Sequence, residues 1–299
     1  MMGKYRIKEW IVATRPWSFS ASAMLVLLML AYLEWRVGGV RWLYGLWAVG
    51  AVMLFHAAGN TWSDWHDYRR GIDAADTHGV DTLTSGRFAP ETLRNYSLAL
   101  YGIACALGLG LMLCVGWPLL GIGLGGLLGA VFYPPLKYRA LGDVVIMLNY
   151  CVLPALGTSY VALGQFELDA LWVALPIGLL VDAILHANNT RDMRTDRRAG
   201  ACTLAHVLGV RGAVCFYLFD TFFPFIWVIA LALYGTLPLW CVLVVQLLPL
   251  AWRNGRQMLA YRSEADAAAI PTLDQASAKL QLLFCAVLIF NLFLDIWLR

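Results

Sequence analysis

Nine apolar runs divide this 299-residue chain and decide which kinds of fold it can adopt. Each approaches the about 20 residues that a helix needs to cross a bilayer. The runs lie at residues 17–34, 42–58, 96–114, 118–133, 144–163, 169–187, 212–234, 237–252 and 280–297. They lack the alternation of barrel strands, and backbone amides in hydrocarbon must pair within their own segment. The sequence therefore predicts an all-α integral membrane protein with nine transmembrane helices around a central cavity.

The distribution of basic residues predicts the orientation of these helices. If the N-terminus is cytoplasmic, all 22 Lys and Arg residues except Arg36, Arg41 and Arg299 lie in cytoplasmic segments, as the positive-inside rule expects. Nine helices then put the C-terminus outside. The net charge of +3 follows from this asymmetry and gives no reason to expect nucleic acid as a partner.

The composition leaves no room for a separate soluble domain. Charged residues make up 14% and hydrophobic residues 61% of the chain, whereas soluble proteins carry about 25% charged residues. We therefore expect one multi-pass domain over residues 1–299, placed in the inner (cytoplasmic) membrane of a cell. The three long charged connections, 59–95, 188–211 and 252–279, all lie on the predicted cytoplasmic side, and we expect function there.

The first of these connections opens with "GNTWSDWHDYRRGID", residues 59–73. Asn60, Asp64 and Asp67 are spaced i, i+4 and i+7, so a helix places them on one face. Carboxylates crowded in this way repel each other unless a cation is present.

The second connection contains a similar motif, "HANNTRDMRTDRRAG", residues 186–200. Asn189, Asp192 and Asp196 are spaced 0, 3 and 7, and Asn188 gives an alternative spacing of 0, 4 and 8. The motifs at 60–73 and 188–198 end predicted helices that are four apart, which suggests a repeated four-helix unit. We expect the two motifs to face each other across a shared cavity.

Two facing stripes of carboxylate and amide oxygens favour Mg²⁺, which prefers hard oxygen ligands and often completes its shell with phosphate. The predicted metal ligands are Asn60, Asp64, Asp67, Asp192 and Asp196. Neighbouring guanidinium groups suit the remaining phosphate oxygens; they are Arg69, Arg70, Arg191, Arg194, Arg197 and Arg198. The predicted ligand is a Mg²⁺-diphosphate that carries a lipid chain. One Asp- and Arg-rich loop alone is more typical of a solvated loop, but two matched loops favour a site.

At these residues the chain resembles the UbiA-type intramembrane prenyltransferases. "NTWSDWHDYRRGID" is similar to the menaquinone-branch pattern N-x-x-N-D-Y-x-D-x-x-x-G-x-D. "NNTRDMRTDRRAGACTLAHVLG" is similar to N-N-x-R-D-x-x-x-D-x-x-x-G-x-x-T-L-A-x-x-L-G. "TRPWS" at the first helix and "PLKYRALGD" after the fourth also resemble that branch.

The resemblance implies transfer of a polyprenyl group from a polyprenyl diphosphate to an aromatic acceptor, most like 1,4-dihydroxy-2-naphthoate in menaquinone biosynthesis. It implies catalytic roles for Asp64, Asp67, Asp192 and Asp196. Substrate binding is assigned to Asn60, Asp73, Asn188 and Asn189, to Lys137, and to Arg69, Arg191 and Arg194. The allylic cation formed when the diphosphate leaves could be stabilised by aromatic rings, for which Trp62, Trp65 and Tyr133 are candidates.

Two departures from the branch pattern leave the acceptor open. Ser63 stands where the branch has a second asparagine, and the stretch at 79–90 differs. The alternative is a UbiA-type enzyme that acts on 4-hydroxybenzoate or another lipid or quinone precursor. A lipid-phosphate transporter is the alternative without chemistry, with Pro154, Pro176 and Pro224 as possible helix breaks. Asp182, inside a span, is either functional or a buried polar contact between helices.

Overall fold

The structure, a computed structural model, describes residues 6–72 and 82–299, and no strand occurs within these ranges. The α-helices are α1 (Ile7–Ala13), α2 (Ser20–Arg36), α3 (Trp42–Arg70), α4 (Pro90–Val115), α5 (Pro118–Lys137), α6 (Gly142–Met147), α7 (Leu153–Leu163), α8 (Asp169–Arg191), α9 (Met193–Arg198), α10 (Leu204–Leu233), α11 (Leu248–Leu259) and α12 (Leu273–Leu298). The predicted all-helical architecture is confirmed.

Eight helical segments in the described ranges are long and apolar enough to cross a bilayer. They are Pro16–Arg36, Trp42–Arg70, Pro90–Val115, Pro118–Lys137, Gly142–Leu163, Asp169–Arg191, Leu204–Leu233 and Asp266–Leu298. They coincide with eight of the nine predicted runs, which confirms a multi-pass membrane protein. The orientation of the termini stays a prediction.

The remaining run, 237–252, is divided between two kinds of helix. Leu239–Leu247 forms a 3₁₀-helix, and α11 follows it with a proline in its first turn. Pro249 has no N–H to donate, so the hydrogen-bond pattern changes there at little cost. Neither piece reaches the length of a spanning α-helix by itself, and the ninth crossing stays a prediction.

The tightly packed half of the molecule is built around α2 and α8. In their most apolar windows, 56% of residues of the α2 segment and 72% of residues of α8 are buried inside the protein, against 11% for α5. α8 contacts α2, α10 and α12, whereas α3, α4 and α5 contact one another on the other side. This unequal packing leaves a cavity between the two halves.

The fifth spanning segment is interrupted by a wide turn. Between α6 and α7, residues Leu148–Val152 form a π-helix, a rare conformation that is often found at functional sites. Pro154 follows in the first turn of α7, where its missing N–H does no harm. The turn changes which side chains face inward, and it brings Asn149 and Tyr150 to the cavity.

Two glycines with positive φ shape the helices that carry the motifs. Gly71 (φ 70°) caps α3 directly after Arg70, a left-handed cap that glycine adopts readily. Gly209 (φ 66°, ψ 172°) interrupts α10 near its start. α10 therefore begins with a short arm over the second motif before it turns into its long apolar part.

Small residues allow the closest helix contacts. A Cβ at Gly178 of α8 would lie 2.6 Å from the Cβ of Cys151 in the π-helical turn. That neighbouring atom is held by the backbone and cannot move aside. Since lipid tails are as apolar as the helices, such close packing is a main source of association within the membrane.

We expect Gly178→Ala to destabilise the protein by about 1–3 kcal/mol, the usual cost of overpacking. The matched control is Gly102→Ala in α4, where a Cβ would meet no atom within 4 Å. Thermal unfolding of the detergent-purified protein measures the effect. A Gly178→Ala midpoint at or above that of Gly102→Ala would contradict the packing assigned to this contact.

Candidate functional site

A cavity of about 1080 Å³ lies between the two halves of the molecule, slightly above the usual range of about 300–1,000 Å³ for small-molecule sites. Its walls come from α2, α3, α4, α5, α7 and α8, and the start of α12 closes one end. Most of the wall is apolar. The polar side chains gather at the end where α3, α5 and α8 finish.

The first motif contributes Asn60, Ser63 and Asp67 to the polar end. The Asn60 amide donates hydrogen bonds to the Thr14 carbonyl oxygen (2.9 Å) and to Ser18 Oγ (3.1 Å). Asp67 lies 3.7 Å from Lys137 Nζ and accepts a hydrogen bond from the Tyr138 hydroxyl. Asn60 and Asp67 thus share a face, as their spacing predicts.

Asp64 does not line the cavity. It is 3% exposed and accepts a 2.5 Å hydrogen bond from the guanidinium of Arg15. At 3.6 residues per turn, Asp64 lies about 40° around α3 from Asn60 and Asp67 lies about 20° to the other side. Asp64 therefore reaches the cavity wall through Arg15, which does line it.

The second motif brings Asn188, Asn189, Asp192 and Asp196 to the same end of the cavity. Asp192 stands between α8 and α9, so the chain turns within the motif. The two motifs therefore face one cavity, as the sequence predicts. Asp73 and residues 79–81 lie outside the described residues.

Arg191 organises the second motif. Its guanidinium donates to both carboxylate oxygens of Asp192 (2.9 and 2.8 Å) and to Asn188 Oδ1 (2.7 Å). It also lies 3.4 Å from Asp274 of α12. With its side chain only 6% exposed, Arg191 is a buried cation whose charge is balanced by two carboxylates.

Arg69 and Arg194, predicted as diphosphate ligands, are exposed and do not belong to the cavity lining. Arg69 follows Asp67 of α3 by two residues, which is about 200° around that helix. Arg69 stacks instead over the Trp65 ring at 5.1 Å. The cations that do line the cavity are Arg15, Lys137 and Arg191.

Sequence reasoning missed Arg15, Tyr138 and Asp274 as parts of this site. Arg15 has a left-handed backbone (φ 54°, ψ 60°), which costs a non-glycine residue about 1–2 kcal/mol. Such strain is characteristic of functional positions. Arg15 and Tyr138 lie in the "TRPWS" and "PLKYRALGD" segments, whereas Asp274 carries no spacing signal because it comes from a distant helix.

Of the aromatic residues predicted to stabilise the allylic cation, one lines the cavity and two do not. Tyr133 lines the cavity, together with Tyr150, which sequence reasoning did not single out. Trp62 and Trp65 are absent from the lining, and Trp62 donates a 3.1 Å hydrogen bond to the Val131 carbonyl oxygen of α5. Trp62 thus fastens α3 to α5 at the back of the cavity wall.

The donor set at the polar end fits Mg²⁺. Asp67, Asp192 and Asp196 line it with Asn60 and Asn189, and such oxygens are the ligands that Mg²⁺ prefers. Within the described part of the chain, no three His, Cys, Asp or Glu residues converge into one ready metal cluster. This suits an ion held through one or two carboxylates and shared with phosphate oxygens.

A second group of buried ionisable residues lies behind the cavity wall. His186 Nδ1 is 3.3 Å from Asp143 Oδ1, and His186 Nε2 is 3.1 Å from the Ala213 carbonyl oxygen. Asp182 is 1% exposed and Asp220 is fully buried. None of these side chains lines the cavity. Asp182 Oδ1 has no hydrogen-bond partner among the described residues, and both alternatives for Asp182 stay predictions.

The fold and this site define a class: helical membrane proteins whose apolar, lipid-sized cavity ends at two asparagine–aspartate motifs. The UbiA prenyltransferase family matches residues 16–293. The chain belongs to this family, and it is a prenyltransferase.

Curated relatives cover nearly the whole chain. UbiA prenyltransferase domain-containing protein 1 of Mus musculus is 33% identical over 299 residues, which is 97% of this chain and 85% of that protein. The Danio rerio protein of the same name is 34% identical over 95% of this chain and 84% of that protein. A 1,4-dihydroxy-2-naphthoate octaprenyltransferase of Bacillus subtilis (strain 168) is 28% identical over 79% of this chain and 77% of that protein.

Solved structures share the architecture. A structure of digeranylgeranylglyceryl phosphate synthase has a TM-score of 0.62 and 17% identity, and covers 95% of this chain and 98% of that chain. A UbiA homologue from Archaeoglobus fulgidus bound to GPP and Mg²⁺ has a TM-score of 0.59 and 13% identity, and covers 94% of this chain and 99% of that chain. At these identities the likeness establishes the fold.

We expect Arg191→Gln to lower turnover of a prenyl diphosphate by roughly 100-fold or more, the usual loss when one charge-stabilising donor is removed. Arg194→Gln, three residues later and exposed, should keep a rate close to that of the unmodified protein. Pyrophosphate release by purified protein measures both rates.

Arg191 also ties Asn188 and Asp192 together, so the thermal midpoint of each variant is measured in parallel. A folded Arg191→Gln protein with full turnover, or a larger loss for Arg194→Gln, would contradict the assignment of the cavity cations.

Proposed function

We propose that this prenyltransferase joins a polyprenyl group from a polyprenyl diphosphate to the aromatic ring of 1,4-dihydroxy-2-naphthoate, in the inner (cytoplasmic) membrane of a cell. The observation that carries the proposal is the placement of both asparagine–aspartate motifs at one end of a 1080 Å³ apolar cavity. Such a cavity suits a substrate with a charged head and a long apolar tail. The name of the Bacillus subtilis relative supports this particular acceptor.

Binding of the diphosphate is assigned to the cations of the polar end. Arg15, Lys137 and Arg191 each lie against a carboxylate of a motif. Guanidinium groups bind phosphate oxygens through paired hydrogen bonds, and these cations hold the charge of the diphosphate in place. Asn60, Asn188 and Asn189 supply neutral polar contacts.

The magnesium ion is assigned to the polar end, where one or two of the carboxylates of Asp67, Asp192 and Asp196 would hold it together with Asn60 and the diphosphate oxygens. Asp64 acts through Arg15. When bound, Mg²⁺ supplies positive charge that stabilises the leaving diphosphate. The A. fulgidus homologue, described as bound to GPP and Mg²⁺, supports Mg²⁺ as the metal.

The reaction begins as the allylic C–O bond breaks and its electron pair leaves with the diphosphate. Preorganised positive charge at Lys137 and Arg191 stabilises the charge that develops on the leaving group. A ring carbon of the acceptor then supplies the electron pair of the new C–C bond. The ring loses a proton or, with dihydroxynaphthoate, carbon dioxide.

The cavity wall protects the allylic cation while it exists. Apolar side chains of α4 and α5 exclude the water that would otherwise capture it. The rings of Tyr133 and Tyr150, both in the lining, present the aromatic faces that attract cations. The transporter alternative has less support, since the polar groups gather at one end of the cavity whereas transport sites lie near the bilayer midplane.

We expect prenyl transfer to require Mg²⁺ or Mn²⁺ and to stop in excess chelator, because the donor set consists of oxygen atoms. Product formation by purified protein is measured with added EDTA and again after Mg²⁺ is restored. Ca²⁺ serves as a control, since its larger and more flexible coordination suits the site less well. Undiminished transfer in excess chelator would exclude the metal assignment.

The acceptor is tested by complementation. Expressed in a bacterial strain that lacks its naphthoate prenyltransferase, this protein should restore demethylmenaquinone, measured by mass spectrometry of membrane lipids. A variant with Asp67→Asn and Asp192→Asn, made at an equal level, is the control. If 4-hydroxybenzoate or another ring is prenylated in vitro and the strain is not rescued, the acceptor proposal is wrong and the other acceptor class is supported.

A further inference from the structure

Glycines form an unusual part of the cavity wall far from the polar end. Gly108 of α4 and Gly123 and Gly126 of α5 all line the cavity. A Cβ at any of the three would meet no heavy atom within 4 Å. At these positions the cavity reaches the backbone, and a larger side chain would project into it.

These glycines differ from Gly110 and Gly129 of the same two helices. A Cβ at Gly110 would lie 3.0 Å from the Trp47 ring, and one at Gly129 would lie 2.5 Å from the Asn149 side chain. Gly110 and Gly129 are therefore small because neighbouring side chains pack against them. No such packing accounts for Gly108, Gly123 and Gly126, even though glycine in a helix interior is less favourable than alanine.

The positions of the two α5 glycines form a graded series. Gly126 and Gly123 precede Lys137 by 11 and 14 residues, which the rise of an α-helix converts to ~16 Å and ~21 Å from the cation end. The lining continues past them to Leu120 and Leu119. A chain that starts at the cations and follows α5 passes Gly126 first and Gly123 second.

We infer that Gly108, Gly123 and Gly126 set the length of isoprenoid chain that the cavity accepts, because they leave its wall open where the chain runs. This inference rests on the proposed binding of a prenyl diphosphate with its head at Lys137 and Arg191. The occupant is an isoprenoid tail because the wall here is apolar and continuous with the diphosphate end. A leucine at either α5 position fills the space that a longer chain needs and leaves space for a shorter one.

The test compares Gly126→Leu, Gly123→Leu and Gly108→Leu with two matched controls. Gly121→Leu on α5 and Gly102→Leu on α4 place the same side chain where no atom lies within 4 Å but outside the cavity lining. Binding of geranyl, farnesyl, geranylgeranyl and octaprenyl diphosphate is measured by the thermal shift of detergent-purified protein. Binding of the donor is measured because it does not depend on the acceptor. Gly→Ala variants at the three positions replace any leucine variant that does not fold.

We expect the controls to keep the chain-length profile of the unmodified protein. Gly126→Leu should weaken binding of the longest donor at least tenfold relative to geranyl diphosphate. The longest donor that Gly123→Leu still binds normally should be one isoprene unit longer than the longest donor that Gly126→Leu binds normally. An unchanged profile in folded variants at all three glycines, or the same shift in the controls, would overturn the inference.

Turnover separates this inference from the proposed function. If prenyl diphosphates bind with the expected profile but 1,4-dihydroxy-2-naphthoate is not prenylated, the acceptor proposal fails and the role of the glycines stands. If inorganic pyrophosphate stabilises the unmodified protein as much as every prenyl diphosphate does, the cavity does not hold the chain and the inference fails.

Discussion

Asp64, Asp67 and Asp192 are each paired with a cation, and this pairing brings distant parts of the chain together at the site. A carboxylate left unpaired in a low-dielectric interior costs several kcal/mol. Asp64 takes its cation from Arg15, ahead of the first spanning helix, and Asp67 takes Lys137 from the end of α5. Arg191 joins Asp192 to Asp274 of α12. The ion pairs that lower the cost of burying these carboxylates therefore also bring together the cations that a diphosphate needs.

The two halves of the molecule differ in how closely their helices pack. α8, which ends in the second motif, packs against α2, α10 and α12 and, at Gly178, against Cys151 of the π-helical turn. The helices α3, α4 and α5 are less buried inside the protein, and the cavity lies between them and the packed half. A protein packed closely throughout would have no room for a lipid substrate. A protein packed loosely throughout would not hold its charged groups in fixed positions.

Polar groups occur both in the packed half and at the polar end of the cavity. His186 and Asp143 form a pair inside the packed half, away from the cavity. The charged groups of the cavity lie at its polar end, and the glycines of α4 and α5 lie along its apolar wall.

The sequence by itself determined the helical membrane architecture, because apolar runs of spanning length have no other stable form in a bilayer. It also predicted that the two motifs meet, because similar asparagine–aspartate motifs follow two of the spanning runs. Only the tertiary structure decided which side chains face the cavity. Rotations of about 40° or 200° separate Asp64 and Arg69 from the lining, and helix packing selects the face. Asp274 joined the site because α12 folds back against α8, a contact that spacing along the chain does not encode.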